Sequence, residues 1–324
     1  MDALAGLLHG PRARGAFLLR SVLEPPWSLR IRDEAPLTLV AMVRGDAWLL
    51  ADSAEQARLH PGDVAIVRGP APYTVADDPA TEPQVFIHPG QRCTTRDGED
   101  LHQAMDLGVR TWGNDPHGST MMLTGTYQLE GEVSRRLLDV LPELVVVRAQ
   151  AWDSPLVALL GDEVTRDEPG QEAVLDRLLD LVLIAALRTW FGRPESAAPP
   201  WYRAQSDPVV GPALRMLHNH PARAWTVRRL AADVGVSRAA LARRFAELVG
   251  EPPMRFLTGW RLALAADLLC EPGATVTGVA AQVGYASPYA LSAAFKRVRG
   301  ISPAQYRRQA MDGLPGARAG RSVA

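Results

Sequence analysis

Over the first 150 or so positions the apolar residues come in short runs. LTLVAMV (Leu37–Val43), AWLLA (Ala47–Ala51), DVAIV (Asp63–Val67), QVFIH (Gln84–His88), TMMLTGTY (Thr120–Tyr127) and LVVV (Leu144–Val147) are separated by Gly, Pro and Asp turn formers. Short apolar runs at near-regular spacing predict the strands of a sandwich or barrel. The period then changes. Pro155 opens one helical segment, and QEAVLDRLLDLVLIAALRTWF (Gln171–Phe191) continues without Gly or Pro, apolar over much of its circumference. Such a helix is packed on more than one side, either within its own domain or between two subunits. GRPESAAPPWYRAQSDP (Gly192–Pro208) breaks this pattern and has the composition of a linker. Asp207 is placed as a cap and Pro208 as a first helical residue, and short helices follow to about Ala310. The Gly-, Pro- and Arg-rich residues 311–324 are expected to fray.

The helical part contains a repeat. TVRRLAADVGVSRAALARRFAELVGEPPMRF from Thr226 and TVTGVAAQVGYASPYALSAAFKRVRGISPAQY from Thr275 align in register once Ala286 is treated as an insertion. Each copy has a capping Thr, a short helix with an Ala-Ala pair, a turn glycine (Gly235, Gly284), and a Ser (Ser237, Ser287) capping a second helix. That is the mechanics of a helix-turn-helix. At helical spacing Leu241, Phe245 and Leu248 point inward in the first copy, as do Leu291, Phe295 and Val298 in the second. Outward are Ala239, Ala242, Arg243 and Ala246, flanked by Arg238 and Arg244, and in the second copy Tyr289, Ser292, Ala293 and Lys296. Small outward residues with a few long cations suit a helix that enters a DNA major groove. Between the copies Pro253–Leu269 reads as an unbroken helical spacer of roughly 25 Å, enough to place two such helices about one DNA turn apart.

Charge sharpens this division. The 324 residues carry a net charge of -1, but Trp201–Ala324 holds 17 Lys and Arg against 7 Asp and Glu, while residues 1–200 hold 18 against 29. Only the basic half is suited to a polyanion. The two cysteines, Cys93 and Cys270, lie far apart with no metal-ligand spacing, which argues against a disulfide framework and a structural zinc site. No apolar run reaches the length of a membrane span, so the reading is cytoplasmic with no membrane partner.

The last hundred residues resemble the DNA-binding domain of AraC-family (AraC/XylS) transcription regulators, most closely in GYASPYALSAAFKRVRGISPAQYRR (Gly284–Arg308). LHPGDVAIVRGPAPY (Leu59–Tyr73) resembles the PGD turn of the cupin superfamily, a small jelly-roll barrel. TWGNDPHGSTMMLTGTYQLEG and LLDVLP resemble the cupin-type sensor domain of one branch of these regulators. The fold class expected is α+β with two domains: an N-terminal cupin-like β-barrel plus helices, and a C-terminal all-α domain with two helix-turn-helix motifs. The boundaries read as sensor 1–152, helical dimerisation or connector region 153–191, linker 192–207, DNA-binding domain 208–310 and tail 311–324. The resemblance implies base contacts from the outward positions of the first recognition helix, pointing to Arg243 with Ala239 and Ala242. The second helix departs from this, with Ala293 matching Arg243 and Pro288 matching Arg238. The expected DNA-binding set is Arg238, Ala239, Ala242, Arg243, Arg244, Ser287, Tyr289, Ser292, Lys296 and Arg297, with the first copy reading sequence and the second anchoring. Expected partners are double-stranded DNA, a second copy through the sensor half, RNA polymerase and a small-molecule effector.

The sensor half offers less. Metal-binding cupins use a closely spaced His pair with a carboxylate, whereas His60, His88, His102 and His117 stand singly. No catalytic residue, metal or cofactor is therefore expected, and a metal-dependent cupin enzyme is the rival reading. A DNA-binding accessory of a repair protein is a second alternative, disfavoured by the lack of a reactive Cys cluster. Cys93, read as a loop residue beside Arg92 and Arg96, is a redox candidate because neighbouring cations lower a thiol pKa; Cys270 is read as core packing. Trp27, Trp48, Met42, Met121, Met122 and Tyr127 are candidates to line an organic ligand or simply to fill the barrel core.

Overall fold

A computed structural model describes residues 17–127, 132–152, 154–193 and 198–313. The described residues divide into two compact units, one of sheets and helices ending at residue 193, the other containing residues 198–313 together with Glu132–Arg136. The residues beyond 313 lie outside the described ones, as does part of the TYQLEG stretch.

The first unit contains strands β1 (Phe17–Leu23), β2 (Ser28–Ile31), β3 (Leu37–Arg44), β4 (Ala47–Ala51), β5 (Gln56–Leu59), β6 (Val64–Arg68), β7 (Tyr73–Ala76), β8 (Val85–His88), β9 (Arg92–Thr94), β10 (Asp106–Gly108), β11 (Thr111–Gly113), β12 (Thr120–Tyr127) and β13 (Leu144–Val147). They form a seven-stranded sheet ordered β10-β11-β1-β12-β3-β6-β13 and a six-stranded sheet ordered β5-β4-β7-β2-β8-β9. One core draws on both sheets, with Val40, Met42 and Met122 from the first and Leu29, Leu49 and Val75 from the second. Individual strands differ in how their sequences are patterned, and packing explains why. β4 and β8 alternate buried and half-buried residues, as expected of a sheet with one solvated face. β3 is buried over its first six positions because helices cover its other face.

Four described helices precede residue 198: α1 (Glu132–Leu138), most of which belongs to the second unit, and α2 (Ala149–Trp152), α3 (Leu156–Glu163) and α4 (Gln171–Phe191) of the first. The long helix α4 lies on its own domain's sheet, where Tyr127 Oη donates to the Leu179 carbonyl at 2.9 Å. Gly125 lets the helix approach closely there, since a Cβ at that position would meet the end of the Leu179 side chain at 2.6 Å and oblige it to shift. Val174 and Leu181 remain 44% and 48% exposed, an apolar pair seven residues apart on the side away from the sheet. In the PGD turn Gly62 takes φ +84, and the buried Asp63 accepts from the N–H groups of His60 and Ala149 and from Arg148, at 3.0, 2.8 and 2.7 Å.

The second unit is helical: α5 (Pro200–Arg203), α6 (Val210–Asn219), α7 (Val227–Asp233), α8 (Arg238–Val249), α9 (Pro253–Cys270), α10 (Val276–Val283), α11 (Pro288–Arg299) and α12 (Pro303–Gly313). The end of the Pro-rich stretch is thus folded: α5 and a 3-10 turn at Ala204–Ser206 precede α6, and Trp201 packs on the core. Two hydrophobic clusters lie along α9. Its N-terminal half gives Phe256 and Leu257 to a cluster with Leu214, Leu230, Leu241 and Phe245. Its C-terminal half gives Leu262, Ala266 and Leu269 to a cluster with Val279, Leu291 and Phe295. A helix that serves two cores on different faces cannot be strongly amphipathic, which accounts for its mixed sequence.

Candidate nucleic-acid interface

Each repeat folds as a helix-turn-helix, α7–α8 and α10–α11. The Thr226 and Thr275 hydroxyls accept from the N–H groups of Arg229 and Gly278, at 3.1 and 3.0 Å. Ser237 and Ser287 accept from Ala240 and Ala290, both at 3.2 Å. These caps satisfy amide groups that each helix start leaves without partners. Gly235 and Gly284 turn the chain at φ +75 and +82, a conformation that costs L side chains energy. Leu241, Phe245, Leu291 and Phe295 are fully buried, anchoring each second helix to its core. Leu248 and Val298 depart from expectation: they are 38% and 59% exposed. Each stands in the last turn of its helix, and in the first copy it is the next residue, Val249, that packs on the core, so helical phase alone placed them wrongly.

The outward faces of the two second helices differ. In α8, Arg238 and Ala239 are exposed and Ala242 is half-buried, while the Arg243 side chain is 78% exposed with a 4.0 Å contact to Glu247 one turn on. Arg244 faces elsewhere. Its guanidinium grips the Asp207 carboxylate at 2.6, 2.9 and 3.1 Å, and Asp207 also accepts from the N–H groups of Val209 and Val210 at the start of α6. Burial pushes the Asp207 carboxyl up, but the hydrogen bonds from Arg244, Val210 and Val209 outweigh it and hold the group below its ordinary pKa. Arg244 thus braces the helix from behind. In α11, Tyr289 is 85% exposed, Ser287 and Ser292 are half-buried, and Ala293, Lys296 and Arg297 are exposed.

Comparison with known proteins agrees with this geometry. Residues 2–192 match a family model described as a cupin, and residues 230–309 match one described as a helix-turn-helix domain. A putative AraC-like transcription regulator of Streptomyces lividans is 32% identical over 95% of this chain and 98% of its own length. The chain belongs to the AraC family of transcription regulators. A second AraC-like relative, from Streptomyces antibioticus, is 31% identical over 96% of this chain and 100% of its own. The solved DNA-binding domain of AdpA, a global transcriptional factor in complex with a target DNA, is 35% identical, covering 34% of this chain and 99% of that one, with a TM-score of 0.32. This AraC-family chain is a DNA-binding regulator with a cupin-like N-terminal domain.

In the cupin-like half of the regulator, Cys93 corrects the redox reading. It lies on β9, 8% exposed, its Sγ 3.6 Å from the Gln91 carbonyl. Burial and then the nearby Asp100 carboxylate push its thiol up to about 11, opposite to the direction a reactive cysteine needs. The alternation of the strand turns Cys93 inward and leaves Arg92 outside. Cys270, read as core, is the exposed one. Among the described residues no three His, Cys, Asp or Glu are grouped to hold a metal ion, and no helix is long and apolar enough to cross a membrane. His60 pairs with Asp46 at 3.0 Å and His88 with Thr94 at 2.9 Å.

A cavity of about 410 Å³ opens among the barrel strands, with Leu29, Tyr73, Val75, Ile87, Trp112 and Met122 in its wall. Of the candidate lining residues Met122 takes part, whereas Trp27, Met42 and Tyr127 are buried core. The buried Trp112 Nε1 has no hydrogen-bond partner among the described residues, although it is a donor. Sequence reasoning passed over Trp112 because it belongs to a three-residue strand without a periodic pattern.

Proposed function

We propose that the regulator binds its operator through both helix-turn-helix motifs, the first reading base sequence and the second mainly fixing register. The observation that carries this is the contrast between the exposed, loosely held Arg243 and its counterpart Ala293. An Arg can pair bidentately with guanine, worth about 1–3 kcal/mol of discrimination, while an Ala offers at most contact with a thymine methyl. Arg238, Ala239 and Ala242 share the reading face. Ser287, Tyr289, Ser292, Lys296 and Arg297 contact mainly the backbone, where cations neutralise phosphates. The sensor half pairs with a second copy, for which the exposed Val174 and Leu181 of α4 supply apolar surface. It takes a small organic effector in the barrel cavity, where the unsatisfied Trp112 N–H offers a hydrogen bond. RNA polymerase is the partner through which such binding changes transcription, in the cytoplasm.

The test is footprinting and affinity measurement on DNA selected from a random pool by the full-length protein. Arg243→Ala should relax specificity at one or two base positions. Lys296→Ala should weaken all sequences alike and lower the salt slope by about 1. Equal constraint at both half-sites, with equal damage from the two substitutions, would refute the division of labour.

A further inference from the structure

Between α6 and α7 runs the loop Pro221–Trp225. It belongs to the first motif: Trp225 is 7% exposed within that motif's core, and its Nε1 donates to the His220 carbonyl at 2.8 Å. Arg223 lies 4.4 Å over the Trp225 ring and pairs at 3.4 Å with Asp233, in the first helix of the motif. The same loop meets the second motif. A Cβ on Gly284, the turn residue there, would stand 2.6 Å from the Ala222 Cα and carbonyl oxygen, so glycine is what lets the turn seat on the loop. Arg261, midway along the spacer helix, closes the arrangement. Its Nε donates to the Pro221 carbonyl at 2.7 Å and its Nη2 to the Arg223 carbonyl at 2.9 Å, and its guanidinium sits 5.9 Å from the ring of Tyr285, next to Gly284.

We infer that Arg261 is a positioning residue for operator recognition, keying the first motif's loop to the second motif's turn so that the distance and phase between the two recognition helices are fixed. The spacer helix alone joins the two motifs along one axis, and a single axis leaves one motif able to roll or tilt against the other. The loop makes a second point of attachment away from that axis. Two carbonyls in one turn of chain, both facing α9, require a planar donor that can serve both at once, and guanidinium provides it. The function this gives is selectivity for half-site spacing: one inserted base pair moves a half-site about 3.4 Å along the duplex and turns it by roughly 35°. A keyed pair of motifs cannot follow that change; an unkeyed pair can. The inference rests on the reading that both motifs contact DNA together.

The experiment uses the full-length protein and a duplex selected from random-sequence DNA, with derivatives in which one or two base pairs are inserted or removed between the two footprints. Affinities are measured by fluorescence anisotropy at one salt concentration. The unaltered protein should lose about tenfold or more in affinity per base pair inserted, and Arg261→Ala less than about threefold. Arg261→Lys keeps the charge and stem but fills one carbonyl at a time, and should fall between the two; should the alanine variant fail to fold, the lysine variant is read in its place. A variant as sensitive to spacing as the unaltered protein overturns the inference. So does one weakened by the same factor on every spacing, because that is loss of structure alone. If the unaltered protein is itself indifferent to spacing, the two-motif reading falls first, and footprints that protect a single half-site identify that failure.

Discussion

Replacing the two turn glycines by alanine separates a conformational cost from a contact cost within one molecule. Gly235 and Gly284 occupy matching positions of the repeat, with φ +75 and +82. A left-handed backbone costs an L residue roughly 1–2 kcal/mol, offset by about 0.4–1 kcal/mol because alanine also leaves the unfolded chain less freedom. Gly235→Ala, with nothing within 4 Å of its new Cβ, should therefore lose no more than about 1.5 kcal/mol. Gly284→Ala carries the same cost and adds a clash, since three Ala222 backbone atoms lie at 2.6–2.8 Å and cannot rotate away. Forcing such a neighbour aside adds about 1–3 kcal/mol. For a helical domain of about 100 residues, 1 kcal/mol is worth roughly 4–8 °C, so the two variants should differ in Tm by about 5–20 °C. Thermal unfolding of the two full-length variants followed by circular dichroism at 222 nm makes the comparison, because the sensor half is common to both. Asparagine, which tolerates left-handed φ, should ease the loss at 235 and not at 284, where any Cβ collides. Equal losses at the two positions would mean that the loop gives way freely and the close approach carries no weight.

Three further outcomes follow from the side-chain environments. With its thiol at about 11, Cys93 should be alkylated by iodoacetamide at pH 8 about two orders of magnitude more slowly than an ordinary thiol, and after Cys270; peptide mapping that finds Cys93 labelled as fast as Cys270 refutes the buried placement. Arg244→Met should lower stability at neutral pH only modestly, because Arg244 is half in solvent and its ion pair is screened. The Asp207 carboxyl is held low in the folded state, so its contribution is present above the ordinary aspartate range and lost as pH falls through the depressed value. Urea unfolding at pH 7 and in strong acid should show the gap between variant and parent closing, and a gap that persists in acid excludes the ion pair as its source. Trp112→Phe removes an unsatisfied buried donor and should leave stability within about 1 kcal/mol of the parent; a loss above about 3 kcal/mol in chemical denaturation would show that the indole N–H is already bonded in the free protein.

Much of the architecture is legible in the sequence because its signals are local. β12 and β13 coincide with the apolar runs Thr120–Tyr127 and Leu144–Val147, and α4 with the Gly- and Pro-free stretch from Gln171 to Phe191. The repeat gives both helix-turn-helix motifs, since Thr, Gly and Ser each act within four residues of where they stand. What escaped depends on partners distant along the chain. Arg244 is indistinguishable in sequence from Arg243, and only the fold brings Asp207, 37 residues earlier, against one of them. Arg261 reads as a generic helical cation until the carbonyls 38 and 40 residues before it come within reach. Cys93 misled for the complementary reason: its polar neighbours are adjacent in sequence, yet a strand turns adjacent residues to opposite faces. Two glycines that are equivalent in the repeat are unequal in the fold, because one faces open space and the other the Ala222 backbone. The repeat specifies each motif alone, and the residues that relate one motif to the other lie outside it, as Arg261 and the Pro221–Trp225 loop do, or, as Gly284 does, at a position where the two copies read the same.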